Sequence, residues 1–255
     1  MDWFDRAQFE AAWLTLAGGA ELPRLRVVEQ VDSTNRIAWE LAAAGVPGGA
    51  IAQSQTAGRG QWGRVWQSPV GGLYLSWAIA IHDLPPLLVT LLSAGGIARQ
   101  LRDRAVPVWL KWPNDLLLHG RKLGGIKTEV NPRGAIAVVG VGLNWCNPVP
   151  ATGIALATDP DARVASLEEL AAIAIAGIQQ GNHWGQSQPM PDVLAAYWEL
   201  LETKHRSVFV AGAPGQVIGI TPTGELRVRL QGGQAHTELN CPPGAVQIGY
   251  PDPLA

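Results

Sequence analysis

Apolar residues along the chain switch between helical and strand-like spacing, which predicts an α+β protein. One helical pattern contains Gly95-Gly96, and this pair weakens the prediction of a single continuous helix there. A cluster of N-cap residues at 32–35 precedes another helix. Helices are predicted over Asp5–Leu16, Arg36–Ala44, Leu87–Arg104, Leu167–Ile178 and Val193–Glu202.

Period-two alternation predicts short strands between these helices. Turn residues at His119-Gly120 and at 132–134 separate several strands closely, which favours antiparallel neighbours, and no regular βαβ alternation is present. We therefore expect a mixed, largely antiparallel sheet with helices on one face. The predicted strands are Arg24–Val31, Ala50–Gln55, Leu73–Ile81, Val108–Trp112, Leu116–Leu118, Leu123–Val130 and Ala135–Leu143.

The composition changes near Arg206, where helical patterns stop. Short β-type runs follow at 208–211, 216–220, 225–230, 236–239 and 246–248, separated by Gly and Pro turns. About 45 residues of this kind fit a small five-stranded barrel. The sequence thus predicts two domains, residues 1–205 and residues 206–255.

Charge and hydropathy exclude several classes of function. The chain carries 19 basic and 21 acidic residues, for a net charge of −2, so no basic surface for nucleic acid is expected. The N-terminus lacks the apolar region of a signal peptide, and no apolar run is long enough to span a membrane. We expect a cytoplasmic protein with no DNA or membrane partner.

Positive groups and bare peptide nitrogens are concentrated in Lys111–Glu129. The chain has four lysines, and Lys111, Lys122 and Lys127 all lie in this stretch, with Asp115 and a Gly-Gly pair. Cations, a carboxylate and unshielded amides suit a polyphosphate and its metal ion. The alternative is a hairpin whose lysines are simply solvated.

A second candidate segment is glycine-rich. Gly58–Gly63 matches the GxGxxG pattern of dinucleotide sites, but that pattern requires the loop to open a helix. Pro69 and two glycines follow and prevent a helix, so we reject a dinucleotide site. The segment up to Trp66 still offers two guanidiniums and two indoles, which suit an anion beside a flat apolar ligand. A solvated surface loop is the alternative.

Three segments together resemble the biotin protein ligases: DSTN at 32–35, QTAGRGQWGRVWQSP at 55–69 and KWPNDLLLHGRKLGGIKTE at 111–129. GVGLNW at 140–145 is consistent with them. The resemblance implies a class II synthetase-like catalytic fold with an SH3-like C-terminal domain. It also implies an enzyme that makes biotinyl-5′-AMP from biotin and ATP with Mg²⁺. Biotin would then pass to one lysine of a biotin carboxyl carrier protein, a subunit or domain of acetyl-CoA carboxylase.

The resemblance also assigns roles to individual residues. Lys122, Arg59 and Arg64 would be catalytic by neutralising the carboxylate and the α-phosphate, and Asp115 would bind Mg²⁺. Biotin would contact Ser33, Thr34, Asn35, Gln55, Gly58, Arg59, Gly125, Ile126, Gly142 and Leu143. The nucleotide would contact Arg59, Gly60, Gln61, Arg64, Trp66, Lys111, Asn114, Lys122 and Asn144.

Other interpretations stay open. Ser33 and Thr34 could simply cap the following helix. A lipoate ligase shares the fold and the two-step chemistry, although the WPND and KLGGI pair favours biotin. A non-catalytic biotin-binding module would not need Lys111, Lys122 and Asp115 grouped together.

The expected assembly is less defined. Only about 25 residues precede the first predicted strand, which is too few for a winged helix-turn-helix module, so we expect no DNA-binding domain. A homodimer and a monomer fit the sequence equally well.

The glycine-rich segment departs from one familiar family pattern, GRGRxGR. Gln61, followed by Trp62, replaces the second arginine, so one guanidinium is missing from the loop that would retain the adenylate. We predict that this chain holds biotinyl-AMP less tightly than a Gln61→Arg variant. Dissociation rates of biotinyl-AMP from the two proteins test this, and equal rates would remove the idea.

Overall fold

The computed structural model describes residues 3–17, 21–82, 84–131, 135–231 and 237–248. The predicted turn at 132–134 and the start of the strand predicted at 236–239 lie outside these ranges. None of the helices in the described ranges is both long enough and apolar enough to cross a membrane. The α-helices are α1 (Arg6–Ala17), α2 (Thr34–Ala43), α3 (Pro86–Arg102), α4 (Leu167–Ser187) and α5 (Met190–Leu200).

The main sheet has seven strands in the order β1-β2-β3-β7-β6-β5-β4. β1 and β2 pair in parallel, whereas every other neighbouring pair is antiparallel. The expected mixed, largely antiparallel sheet is therefore confirmed. Its strands are β1 (Leu25–Val31), β2 (Gly49–Gln55), β3 (Gly72–Ala80), β4 (Trp109–Lys111), β5 (Asp115–Leu118), β6 (Arg121–Val130) and β7 (Ile136–Asn144).

A tight turn joins β5 to β6 at the predicted position. His119 and Gly120 both have positive φ, 49° and 72°, as a two-residue type I′ hairpin turn requires. The register shifts between Leu116 and Leu117, a bulge that brings Leu117 opposite Lys122. The turn and the bulge together determine where the Lys122 side chain emerges from the sheet.

The helices cover the two faces of this sheet unequally. On β2, Ile51 belongs to the large core formed with α1, α3 and α4. Its neighbours Ala50 and Ala52 face the other way and pack against Ile37 of α2. Because successive side chains of a strand point to opposite faces, α2 lies on the face opposite the other helices. The expectation of helices on one face thus holds for α1, α3 and α4 but not for α2.

The C-terminal strands form a second, five-stranded antiparallel sheet in the order β11-β10-β9-β8-β12. The two-residue β12 pairs only with β8, and β11 pairs only with β10 among the described residues. The outer strands do not meet, so the predicted barrel is open rather than closed. Its strands are β8 (Ser207–Val210), β9 (Ala213–Ile220), β10 (Leu226–Leu230), β11 (Glu238–Cys241) and β12 (Val246–Gln247).

Close backbone contact between α3 and α4 explains the glycines in both helices. A Cβ on Gly96 would overlap the carbonyl oxygen of Gly177, and a Cβ on Gly177 would lie 2.6 Å from the Cα of Ile97. Gly181 meets the Leu92 carbonyl in the same way. These glycines allow the two backbones to touch. They do not end the helices, and α4 continues past its predicted end at Ile178 to Ser187.

We predict opposite effects for two consecutive glycines of α3. Gly96→Ala should lower the free energy of unfolding by about 1–3 kcal/mol, because its methyl group has no space against α4. Gly95→Ala should be neutral or raise it by up to about 1 kcal/mol, because its Cβ would meet only the Tyr197 ring, at 3.5 Å. Urea unfolding of both variants is the measurement. Equal losses would contradict this account of the helix contact.

Candidate active site

A cavity of about 1070 Å³ opens between the glycine-rich segment, the β5–β6 hairpin, the start of α2 and the C-terminal sheet. Both candidate segments of the sequence line it, so the Arg59 loop and Lys122 share one cavity. The predicted site residues that line this cavity are Ser33, Thr34, Asn35, Gln55, Arg59, Gly60, Gln61, Arg64, Trp66, Lys111, Asn114, Asp115, Lys122, Gly125, Ile126 and Gly142.

Three of the predicted residues are not part of the cavity wall. Leu143 is fully buried in the core on the α3–α4 side of the sheet. The Asn144 amide donates to the Lys122 carbonyl oxygen at 3.3 Å and accepts from Asn147 at 3.1 Å. Gly58 is buried, and a Cβ there would overlap the Trp66 carbonyl oxygen. These three residues pack beside the cavity without lining it.

Sequence reasoning missed other parts of the wall. Lys127 and Gly140 were inside recognised segments and could have been found there. Five of the residues 243–248, all except Ala245, also line the cavity, although this stretch around β12 belongs to the C-terminal sheet. No local pattern in that short turn-rich stretch indicates a binding site, because only the packing of the two sheets brings it there.

The glycine-rich segment is a small ordered hairpin. The Gly60 N–H donates to the Arg64 carbonyl at 2.7 Å, and the Trp66 N–H donates to the Gly58 carbonyl at 2.9 Å. The Gln61 side chain donates to the carbonyl of Ile126 in β6 at 3.2 Å. Gln61 thus connects the hairpin to the main sheet.

A cluster of charges lies at the β5–β6 end of the cavity. Lys122 Nζ is 2.7 Å from Asp115 Oδ1 and 5.4 Å from the centre of the Trp66 ring. Burial lowers the pKa of Lys111, although the nearby carboxylates of Asp115 and Glu202 oppose this shift. Lys111, Lys122 and the nearby Arg206 outnumber the carboxylates of Asp115 and Glu202, and the resulting net positive charge favours an anionic ligand.

Trp66 forms one wall of the cavity through contact with bare backbone. A Cβ on Gly142 of β7 would lie 2.5 Å from Trp66 Nε1 and 2.6 Å from Cε2. The indole N–H is buried and has no hydrogen-bond partner among the described residues. The indole can therefore lie this close to β7 only because residue 142 is glycine.

The opposite end of the cavity is polar. The Thr34 N–H donates to Gln55 Oε1 at 2.8 Å, and Gln55 Nε2 donates to Ser68 Oγ at 2.9 Å. Ser33 is the N-cap residue of α2 but its side chain makes no capping hydrogen bond. Simple helix capping therefore does not account for the Ser33 and Thr34 hydroxyls.

A preformed metal cage is absent from the part of the chain that the structure describes. No group of three or more His, Cys, Asp or Glu residues there could hold a metal ion. Asp115 is a partly buried carboxylate on the cavity wall. One carboxylate fits Mg²⁺, which commonly binds through one or two carboxylates plus substrate phosphates.

The sequence of this chain matches one family of protein ligases. The pattern of the biotin/lipoate A/B protein ligase family matches residues 27–145. A biotin–[acetyl-CoA-carboxylase] ligase from Paracoccus denitrificans is 32% identical over 187 residues, which cover 68% of this chain and 72% of that protein. The chain belongs to the biotin/lipoate A/B protein ligase family.

Other similarities agree with this assignment. The bifunctional ligase/repressor BirA of Bacillus subtilis is 38% identical over 125 residues, 45% of this chain, and the chain spans only 38% of that protein. A structure of biotin protein ligase from Aquifex aeolicus in complex with biotin and ATP has the same fold. Its TM-score is 0.73 at 21% identity, covering 90% of this chain and all of that one.

We predict that Gly142 and Trp66 are energetically coupled. Gly142→Ala should lower the free energy of unfolding by about 1–3 kcal/mol, because the new methyl group collides with the indole. In a Trp66→Ala background the same substitution should cost much less, because the collision is gone. A double-mutant cycle by urea unfolding measures this coupling. Additive effects would show that the contact carries no energy.

Proposed function

We propose that this protein is a biotin protein ligase that forms biotinyl-5′-AMP from biotin and MgATP and transfers biotin to a lysine of a carrier protein. The observation that carries the proposal is the single cavity shared by the Arg59 hairpin and Lys122. It has a polar neutral end, a bare-backbone middle and a cationic end. The ureido ring of biotin is polar and neutral, its thiophane ring and valeryl chain are apolar, and the acyl phosphate of the adenylate is anionic. These three parts would match the three regions of the cavity in the same order.

The biotin subsite lies at the polar end and along the sheet. Ser33, Thr34 and Gln55 offer donors and acceptors to the ureido ring, with the Arg59 backbone assisting. The valeryl chain and the thiophane ring would lie over the sheet beside Trp66. The residues of that floor are Gly125, Ile126 and Gly142; the two glycines have no side chain, and the Ile126 side chain is buried in the core.

The cationic end suits the adenylation step. The biotin carboxylate oxygen attacks the α-phosphorus of ATP, and the bond to the pyrophosphate leaving group breaks. Lys122, Arg59 and Arg64 would neutralise charge on the carboxylate, the α-phosphate and the pyrophosphate. No side-chain nucleophile is needed, because positioning and electrostatic stabilisation carry the reaction.

Other residues would hold the nucleotide. Asn114 presents a donor and an acceptor to the adenine edge, whereas Asn144 does not line the cavity and its amide bonds to Lys122 and Asn147. Lys111 adds positive charge near the phosphates. Asp115 would hold Mg²⁺ together with phosphate oxygens, and the ion would neutralise phosphate charge.

In the second step the carrier lysine amine attacks the carbonyl carbon of the anhydride, and AMP leaves. We propose that the carrier is the biotinyl domain or subunit of acetyl-CoA carboxylase, as the name of the Paracoccus denitrificans relative suggests.

We further propose two domains, 1–205 and 206–255, with the second closing the cavity through residues 243–248. Use of MgATP favours a cytoplasmic location. β1 is an edge strand that could pair in a homodimer, and the net charge does not favour DNA binding.

We predict that Lys122→Ala slows biotinylation by about 100-fold or more, because the developing phosphate charge loses a preorganised cation. The protein is incubated with biotin, MgATP and a biotin carrier domain, and labelling is followed by avidin blotting and pyrophosphate release. Lys204→Ala is the matched control, because Lys204 pairs with Glu199 and does not line the cavity. Replacing biotin by lipoate should give no product. No labelling by the unaltered protein, or efficient use of lipoate, would overturn the assignment.

A further inference from the structure

A line of buried hydrogen bonds leads from the polar end of the cavity to a carboxylate outside it. Thr34 Oγ1 is 2.7 Å from Ser76 Oγ, and Ser76 Oγ is 2.6 Å from Asn35 Oδ1. The Asn35 side chain also faces the Glu129 carboxylate and helps to lower its pKa. Thr34 and Asn35 line the cavity, whereas Ser76 and Glu129 do not. We call these four residues the Thr34–Glu129 relay.

The charge of Glu129 determines which group donates and which accepts in each hydrogen bond of the relay. Burial by itself raises the pKa of Glu129, but the hydrogen bond from Trp39 and the nearby Lys127 and Asn35 together bring it below its usual range. Trp39 Nε1 donates to Glu129 at 3.0 Å, and Lys127 Nζ is 3.4 Å away. An ionised carboxylate only accepts hydrogen bonds. The Asn35 group that faces Glu129 must therefore be its NH₂.

The orientation of Asn35 determines the protons of the next two groups. With its NH₂ toward Glu129, Asn35 presents its oxygen to Ser76, so the single Ser76 proton must be donated to Asn35. Ser76 can then only accept from Thr34. The Thr34 proton goes to Ser76 at 2.7 Å, in preference to Gln55 Oε1 at 3.2 Å, which already accepts the Thr34 N–H.

The bare backbone of β7 leaves room for this arrangement. A Cβ on Gly140 would lie only 2.5 Å from Asn35 Oδ1. Ser76 is completely buried and Thr34 is 3% exposed, so water does not reach the link between these two hydroxyls. The Thr34 oxygen has used its only proton inside the protein, and what it offers a ligand is a lone pair.

We propose that Ser76 and Glu129 are positioning residues that make the Thr34 hydroxyl an obligate hydrogen-bond acceptor toward the cavity. The site therefore selects a ligand that presents an N–H donor at this position. The inference deepens the proposed function and rests on it, since the donor would be a ureido N–H of biotin. Neither residue touches the ligand, because neither lines the cavity.

The test compares Ser76→Ala and Glu129→Gln with the unaltered protein. Without Ser76 the nearest remaining acceptor for the Thr34 proton inside the protein is Gln55 Oε1 at 3.2 Å, which already accepts the Thr34 N–H. The hydroxyl can then turn its proton toward the cavity, so the Kd and KM for biotin should rise about five- to tenfold, the loss of roughly one hydrogen bond. The KM for ATP should not change, and kcat at saturating biotin should stay within about twofold. Glu129→Gln should shift biotin binding in the same direction by less, because its amide still has an oxygen for Asn35.

The difference in affinity between biotin and a methylated analogue is a second measurement. A general loosening of the fold would weaken the binding of both ligands and leave this difference unchanged. The unaltered protein should bind biotin more tightly than an analogue methylated on a ureido nitrogen. The ratio of the two Kd values should be smaller for Ser76→Ala. Thr128→Val is the matched control, since it removes a hydroxyl from the same strand as Glu129 that pairs with Thr90. It should leave biotin binding unchanged. Calorimetry measures the Kd values, and melting curves confirm folding.

The outcomes separate the two proposals. Failure of the unaltered protein to bind biotin would overturn the proposed function and the relay with it. Normal biotin binding by the unaltered protein with an unchanged Kd in Ser76→Ala would overturn the relay alone. Equal rises in the KM for biotin and for ATP, or an unchanged ratio for the methylated analogue, would also overturn the relay. If Ser76→Ala does not fold, an unaltered Kd for biotin in Glu129→Gln would overturn the relay in its place.

Discussion

The site depends on the ion pair between Lys122 and Asp115 across the β5–β6 hairpin. Their 2.7 Å contact holds an ammonium group against the cavity wall, at the end where positive charge accumulates. The type I′ turn and the bulge that follows it aim both side chains at that wall. Asp115 holds the Lys122 ammonium in place but offsets its charge, so the positive charge offered to a ligand comes from Lys122 together with Lys111. The Arg59 hairpin and Trp66 are then arranged around it.

Glycine has one physical role in two separate layers of this protein. Between α3 and α4, Gly96, Gly177 and Gly181 let the helix backbones touch. On β7, Gly140 makes room for Asn35 and Gly142 makes room for Trp66. In both layers the missing Cβ makes space for a neighbour. The same residue type therefore sets the helix packing and the shape of the cavity.

At the polar end of the cavity, a charge outside the cavity determines whether a neutral hydroxyl donates or accepts a hydrogen bond. A hydroxyl can donate or accept, and nothing in its own chemistry decides between the two. Here an ionised carboxylate, held by Trp39 and Lys127, orients an amide, then a serine and finally a threonine. Burial strengthens this ordering, because an unsatisfied group in the chain would be costly.

The sequence by itself determined the α+β class, most of the helices and strands, the hairpin turn at His119-Gly120 and both segments that line the cavity. These features are local, since they follow from apolar periodicity, from turn residues and from the residue types within short segments. Tertiary structure decided what depends on distant partners. It placed α2 on the opposite face, extended α4 through glycines that would otherwise weaken a helix, and left the C-terminal sheet open. It also placed Leu143 and Asn144 outside the cavity wall and brought residues 243–248 to that wall. The hydrogen bonds that lead from Thr34 through Ser76 and Asn35 toward Glu129 depend on the tertiary structure as well. Which side a residue faces, and what it touches, depends on strand register and on close backbone contacts that short-range patterns do not contain.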